Sequence, residues 1–401
     1  MRMPDHQRRT PAVDDRCVIH TCDDPREIDA SAWDVLLDAQ AAPTPFMRHA
    51  FLAALHDSGS AVRGTGWAPL FLTLHRGPSL DGACVLYAKT HSYGEYVFDW
   101  SWASAFQRHG RRYYPKLLGA VPFTPVPGSR LLARDATTRD LLVRAIETLA
   151  REAKVSSAHV LFPDDADLAA FEREGWLVRR GVQFHWQQTA TSPHADFAAF
   201  LATLQREKRK KIAQERRRVR EAGITFRVVE GAAIGQRDWD FFYRCYANTY
   251  AEHGSQPYLQ RAFFDAMMRT MPQHWVLFVA QRDGRDIACS LIAIDDASRT
   301  AWGRYWGAIE HVPLLHFEAC YYQPLEWCIA NAYLRFEGGA QGEHKMARGL
   351  MPVSTASAHW IADRDFERAI ADFLAQERNG VAQYLDELHE RSPFKAREDA
   401  P

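Results

Sequence analysis

The stretch Trp275-Val-Leu-Phe-Val-Ala-Gln-Arg-Asp-Gly-Arg-Asp-Ile-Ala-Cys-Ser-Leu-Ile-Ala-Ile-Asp-Asp-Ala-Ser-Arg-Thr-Ala-Trp-Gly-Arg-Tyr-Trp-Gly-Ala308 decides how the chain folds. Three apolar runs follow one another here: Trp275–Ala280, Ile287–Ile294 and Thr300–Ala308. Asp283-Gly284 lies between the first two. An Asp-Gly pair between such runs is a hairpin signal, so the segment predicts a three-strand meander. Working outward, Asp196–Ala222 predicts one long helix ended by Gly223. Ile224–Val229 reads as a strand and Trp239–Tyr250 as an aromatic-rich helix. After the meander come a helix over about Phe317–Ala332, which Pro324 would kink or restart, and the strand Leu334–Glu337. The last helix, Phe366–Glu390, carries Phe366, Ile370, Phe373, Leu374, Val381, Tyr384, Leu385 and Leu388 as one apolar face, and Ser392-Pro393 stops it. A doubly wound parallel sheet would alternate strand and helix throughout, and this order does not. It predicts an α+β architecture with mixed, mostly antiparallel sheets flanked by helices.

The first half reads as a second unit of the same class. Leu70–Leu74 and Ala83–Tyr87 flank Gly77-Pro78-Ser79 and predict a hairpin. Thr137–Lys154 predicts a helix with Thr137 or Thr138 as N-cap. His159–Phe162 and Val182–Trp186 read as strands on either side of a short helix, Ala166–Glu174. With 401 residues, two domains are expected, divided near Thr189–His194: residues 17–190 and 191–401, after a disordered lead-in over 1–16. Lys and Arg number 49 against 50 Asp and Glu, so net charge gives no general argument for nucleic acid or a membrane surface. The seven cysteines are scattered, with no CxxC, which argues against a disulfide framework or a cysteine zinc site. No apolar run reaches the ~20 residues of a membrane helix, and no secretory signal is present, so the expectation is a cytoplasmic protein.

Three segments can carry chemistry. In Glu337-Gly-Gly-Ala-Gln-Gly-Glu-His-Lys-Met-Ala-Arg-Gly349, Gly338, Gly339 and Gly342 permit positive φ and close approach of a ligand. Glu343 or His344 can act as a general base, while Lys345 and Arg348, beside Gln341, can hold phosphate or carboxylate oxygens. The competing reading is a solvated polar loop. In His91–Trp102, Glu95 and Asp99 stand among Tyr93, Tyr96, Phe98, Trp100 and Trp102; on a strand both acids would share one face. Aromatic surroundings raise carboxylate pKa values, although turn capping or pairing with Arg111 and Arg112 would explain the same acids. The third segment, Arg206–Arg220, holds nine basic residues, with Ile212 and Val219 as its apolar anchors. It reads as a solvated helix face, or as a phosphate-binding stripe for a nucleotide cofactor or tRNA. No HExxH or comparable histidine pair supports a metal, and no GxGxxG, Walker or GxSxG motif occurs.

Several long blocks resemble one family. They are SYGEYVFDWSWA (Ser92–Ala103), RYYPKLL (Arg112–Leu118), VPFTPVPGSRLL (Val121–Leu132), KRKKI (Lys208–Ile212), GRYWG (Gly303–Gly307), LHFEACYYQ (Leu315–Gln323), GAQGEHKMARG (Gly339–Gly349) and SAHWI (Ser357–Ile361). By these the chain resembles the FemAB-like, GNAT-related predicted N-acyltransferases of the peptidoglycan biosynthesis or recognition type, from about Ser31 to Lys395. The element order of the second half is that of the GNAT fold, so the resemblance implies two GNAT-like domains and transfer of an acyl group to an amine. It implies acyl-CoA, or an aminoacyl-tRNA as in Fem peptidyltransferases, as donor, with no permanently bound cofactor. On this reading Glu343 and His344 deprotonate or orient the amine, and Tyr305 protonates the leaving group. Gln341, Gly342, Lys345 and Arg348 hold the donor, while Glu95, Tyr96 and Asp99 bind a cationic acceptor. The sequence departs at one point. The turn where GNAT enzymes grip the CoA pyrophosphate is Gly-rich, and here Glu310–Glu318 has no glycine. A non-catalytic peptide- or glycan-binding protein with a degenerate fold of this type is the rival from another class.

Overall fold

The computed structural model describes residues 17–340 and 342–395. The expected lead-in over 1–16 and Gln341 lie outside the described residues. In the first half the elements run β1 (Cys17–Cys22), α1 (Ala30–Asp38), α2 (His49–Asp57), β2 (Trp67–Arg76), β3 (Ser79–Lys89) and α3 (Trp100–Arg108). They continue with β4 (Lys116–Gly119), β5 (Leu132–Ala133), α4 (Ala136–Glu152), β6 (Ser157–Leu161), α5 (Asp165–Arg173) and β7 (Leu177–Gln187). The second half begins with α6 (Phe197–Thr203), α7 (Arg206–Glu221), β8 (Ile224–Glu230), α8 (Gln236–Glu252) and α9 (Arg261–Thr270). The meander follows as β9 (Trp275–Arg282), β10 (Arg285–Asp295) and β11 (Thr300–Ala308). The chain ends through α10 (Leu315–Phe317), α11 (Gln323–Ala330), β12 (Arg335–Ala340), β13 (Met351–Ile361) and α12 (Arg364–Glu390).

All the strands join in one mixed sheet, ordered β1-β2-β3-β4-β6-β13-β7-β12-β11-β10-β9-β8, with β5 on β3. Each half lays its strands inward from an outer edge, β1 or β8, and leaves its last strand with the other half. Thus β13 pairs with β6 and β7, while β7 also pairs with β12. Among the described strands two joins are parallel, β4 with β6 and β11 with β12, and they occupy equivalent places in the two halves. The halves also share an apolar core: Phe46 meets Trp302 and Phe51 meets Phe263 edge-to-face. The sheet therefore runs without a break past the point, near residue 190, where a domain division is expected.

Several elements differ from the sequence expectation. The long helix over 196–222 is two helices: Leu204 and Gln205 are extended between α6 and α7, and Gln205 N donates to Pro393 O (2.8 Å). Helix α4 is capped by Asp135, whose carboxylate accepts from Thr138 N, and not by a threonine. His91–Asp99 is a loop leading into α3, not a strand. Pro324 stands in the first turn of α11, directly after a π-helical turn over Glu318–Tyr322, so the helical segment restarts at the proline. On α12, Ile370, Leu374 and Leu388 are buried, but Phe373 lies off that stripe and is exposed. Among the described residues no helix is long and apolar enough to cross a membrane.

Candidate active site

The parallel join of β11 and β12 lasts three residue pairs, Thr300–Trp302 against Arg335–Glu337, and then the strands part. Beyond Trp302, β11 stays on β10, while β12 pairs with β7 as far as Ala340. Helix α8 closes the far end of the gap. It can approach because Gly307 has no side chain: a Cβ there would stand 2.1 Å from Cys245 O. At this contact Asn248 Nδ2 donates to Ala308 O (2.8 Å) and Thr249 Oγ1 to Trp306 O (3.1 Å), satisfying strand carbonyls left open by the splay. What remains between the strands is a cavity of about 530 Å³. Its walls are β11 and β12, the phenols of α8, the loop around Tyr93–Phe98 and the loop Phe123–Val126.

Two charged side chains line this cavity. Glu337 stands at the fork, 4% exposed, and its Oε2 has no hydrogen-bond partner among the described residues. Burial pushes its carboxyl up to about 7, against a smaller opposing pull from Arg335. Arg304 reaches in from β11. Its guanidinium donates to Phe123 O (3.0 Å), Thr124 Oγ1 (2.9 Å) and the Tyr305 hydroxyl (3.3 Å), while its buried Nε is unpartnered among the described residues. Around it stand the phenols of Tyr96, Tyr250, Tyr258 and Tyr305. Burial pushes the Tyr96 hydroxyl up to about 12, so it is a neutral donor at ordinary pH. The cavity thus offers a buried carboxylate, a fixed cation and hydroxyl donors inside an aromatic wall.

Of the residues expected from the sequence, Tyr305 and Tyr96 come together here, with Gly338 and Gly339. Gly339 and Gly342 do take positive φ (77° and 99°), whereas Gly338 does not. Gly342 and Glu343 instead line a second cavity of about 630 Å³ between β7, β13 and α12, divided from the first by Tyr96 and Phe98, which border both. Glu343 is exposed and accepts from Tyr384 (2.9 Å); His344 is exposed, beside Tyr321. Lys345 is buried and donates to Gly338 O (2.6 Å) and Gly339 O (3.2 Å), so it braces the floor of the first cavity, and burial pushes its ammonium down to about 8. Arg348 is buried against the Phe317 ring, donating to Glu215 (2.9 Å) and His344 O (2.8 Å), which ties the loop to α7.

Glu95 and Asp99 do converge, but not on a strand and not on an open face. Both are buried and both hold Lys116, Glu95 at 2.7 Å and Asp99 more closely. Lys116 also donates to Ser92 (2.9 Å), and Arg111 faces Asp363 instead of either acid. This cluster pins the aromatic loop that walls the first cavity. Sequence reasoning missed Glu337, Arg304 and Lys116. Glu337 had a signal, an acid at the end of a strand just before two glycines. Lys116 had none, because its partners lie 17 and 21 residues away in a loop.

A family model described as peptidoglycan biosynthesis/recognition, FemAB-like, matches residues 24–396. The chain belongs to the FemAB-like family. No curated protein sequence matches it significantly. Among solved structures, FemX is similar over 86% of this chain and 98% of its own, at 10% identity and a TM-score of 0.53. L-PGS from Bacillus licheniformis is similar over 84% of this chain and 93% of its own, at 11% identity and a TM-score of 0.52. At these identities the likeness is one of fold. This FemAB-like chain shares with them a mixed α/β architecture along nearly its whole length.

Proposed function

We propose that the protein is an N-acyltransferase built from two GNAT-like modules that exchange their last strands, with its reaction centre in the splay between β11 and β12. The observation that carries this reading is the buried Glu337 carboxylate, whose Oε2 has no hydrogen bond among the described residues although Arg335 stands 3.6 Å from its Oε1, lining a cavity that also holds Arg304 and Tyr305. A neutral amine attacks the thioester carbonyl, and Glu337 takes the proton that the nitrogen sheds; a base near neutrality is suited to this and contributes on the order of 10²–10⁴-fold. The free Arg304 Nε–H faces the developing oxyanion. Tyr305 protonates the departing thiolate. The base role goes to Glu337 and not to Glu343 or His344, which lie outside this cavity. Parted strands leave backbone groups along which an extended donor arm can lie as an added strand.

Acyl-CoA is the donor we favour, without a glycine-rich pyrophosphate turn: Glu310 of that turn is paired with Arg282, and Leu314 takes φ 70° before α10. The second reading is a Fem-type aminoacyl-tRNA donor. It is favoured by the outer face of α7, where Arg206, Lys210, Lys211, Arg217, Arg218 and Arg220 are exposed. Calorimetric titration with CoA, acetyl-CoA and a long-chain acyl-CoA separates the two. Saturable micromolar binding with a chain-length preference is the expected result. No binding to any of the three, together with salt-sensitive tRNA binding lost on reversing the charges of α7, would overturn the CoA donor.

A further inference from the structure

The exchanged strand brings two copies of one tripeptide together. Ser-Ala-His occurs at Ser157–His159 on β6 and at Ser357–His359 on β13, and antiparallel pairing sets His159 directly opposite His359. Both rings are buried, and their Nδ1 atoms are 2.7 Å apart. Two ring nitrogens at that distance need one proton between them, one donating and one accepting. Each Nε2 meets the serine hydroxyl two residues earlier, at 2.8 Å in both copies. Two arrangements satisfy every group. With the bridging proton on His159, Ser157 donates to His159 Nε2 and His359 donates from Nε2 to Ser357. With it on His359, each of those bonds reverses.

The chain of contacts continues on both sides. The Tyr113 hydroxyl is 3.2 Å from His159 Nε2 and donates to Asp99 at 2.6 Å. Asp99 holds Lys116, which donates to Ser92. Ser92 borders the first cavity and Ser357 the second. The charged groups facing the two rings are Lys116, Asp99 and Arg179, the last tied to Glu377 (2.7 Å), while Trp102 packs against both rings. Burial, with the neighbouring cations, pushes both imidazoles far below their usual range, so the pair is neutral.

We propose that His159 and His359 share one proton and act as a relay that passes a proton across the seam, between Ser357 at the second cavity and Asp99 beside the first. In one direction Ser357 gives its proton to His359 Nε2, and His359 gives its Nδ1 proton to His159. His159 then gives its Nε2 proton to the Tyr113 oxygen as Tyr113 gives its own to Asp99. Water or a hydroxyl-bearing ligand in the second cavity restores Ser357. The net change is one proton moved from the donor in the second cavity to the Asp99 carboxylate; the reverse sequence returns it, and no other bond changes. The inference stands whether or not the transferase reading does.

The test is nuclear magnetic resonance of the full chain carrying ¹⁵N-histidine. The expected result is one far-downfield proton shared by the two rings, with both Nδ1 shifts averaged between protonated and bare values. Ser357→Ala and Tyr113→Phe each remove a partner at one end, and each shifts the tautomer balance at both rings. A wild-type spectrum with one fixed tautomer per ring would overturn the relay and leave a static clamp. So would variants that perturb only the ring they touch. The wild-type spectrum decides the first point even if a variant fails to fold.

Discussion

Glu337 is a carboxylate that the fold holds buried where β11 and β12 part. Its partners in the sheet, Trp302 on β11 and His185 on β7, fix its backbone, the strands part just beyond it, and burial raises its proton affinity to about 7. That shift has a sign for stability. The folded chain holds this proton more tightly than the unfolded chain, whose glutamate titrates near 4.5. Glu337 therefore costs stability as pH rises from about 4.5 to 7, and the cost persists above that. Glu337→Gln is expected to leave the urea midpoint nearly unchanged at pH 4.5 and to raise stability at pH 8 by about 3 kcal/mol. Equal stability at pH 8 would mean that the carboxylate is not strained in the fold. At this scale the sequence was partly legible. Tyr305 and Tyr96, singled out through the family resemblance, line the cavity, whereas Glu95 and Asp99 turned inward because a distant lysine, Lys116, neutralises them.

Secondary elements were most legible where local chemistry decides them. The Asp283-Gly284 turn, with both residues at positive φ, joins β9 to β10 as its dipeptide predicts. Ile212 and Val219 are buried on α7 as the helical wrap requires, and Glu215 joins them only because Arg348 and Tyr322 satisfy it. Legibility failed where a distant segment overrules local preference. Gln205 ends α6 by bonding the backbone near the C-terminus, and a helix pattern cannot show that partner. The α8–β11 contact has the same long-range character, and it depends on one missing side chain. Gly307→Ala is expected to push α8 off β11, release the Asn248 and Thr249 caps and lower stability by about 1–3 kcal/mol in urea unfolding. A neutral effect would show that the helix can move away freely.

For the whole molecule, the exchange of β7 and β13 makes each half incomplete. Residues 17–190 alone lack β13, which leaves β6 with an open edge, His159 without its partner and β7 without its neighbours on either side. An unpaired central strand promotes aggregation. That fragment is expected to give a poorly dispersed amide spectrum and to gain native dispersion when residues 191–401 are added. A well-folded isolated fragment would contradict the interlocked architecture. The exchange was invisible in the sequence: β7 reads as an ordinary strand, and nothing local to the second half shows that its last strand pairs with β6 and β7.

The central claim, that the splay cavity performs acyl transfer with Glu337 as base, is tested most directly by amine-dependent thiol release. Wild type and Glu337→Gln would be assayed across a panel of acyl-CoA donors and primary amines, with donor affinity measured in parallel. The account predicts release by the wild type that rises with pH through about 7. It predicts a loss on the order of 100-fold or more in the variant, with donor affinity unchanged. Turnover by Glu337→Gln at the wild-type rate would contradict it.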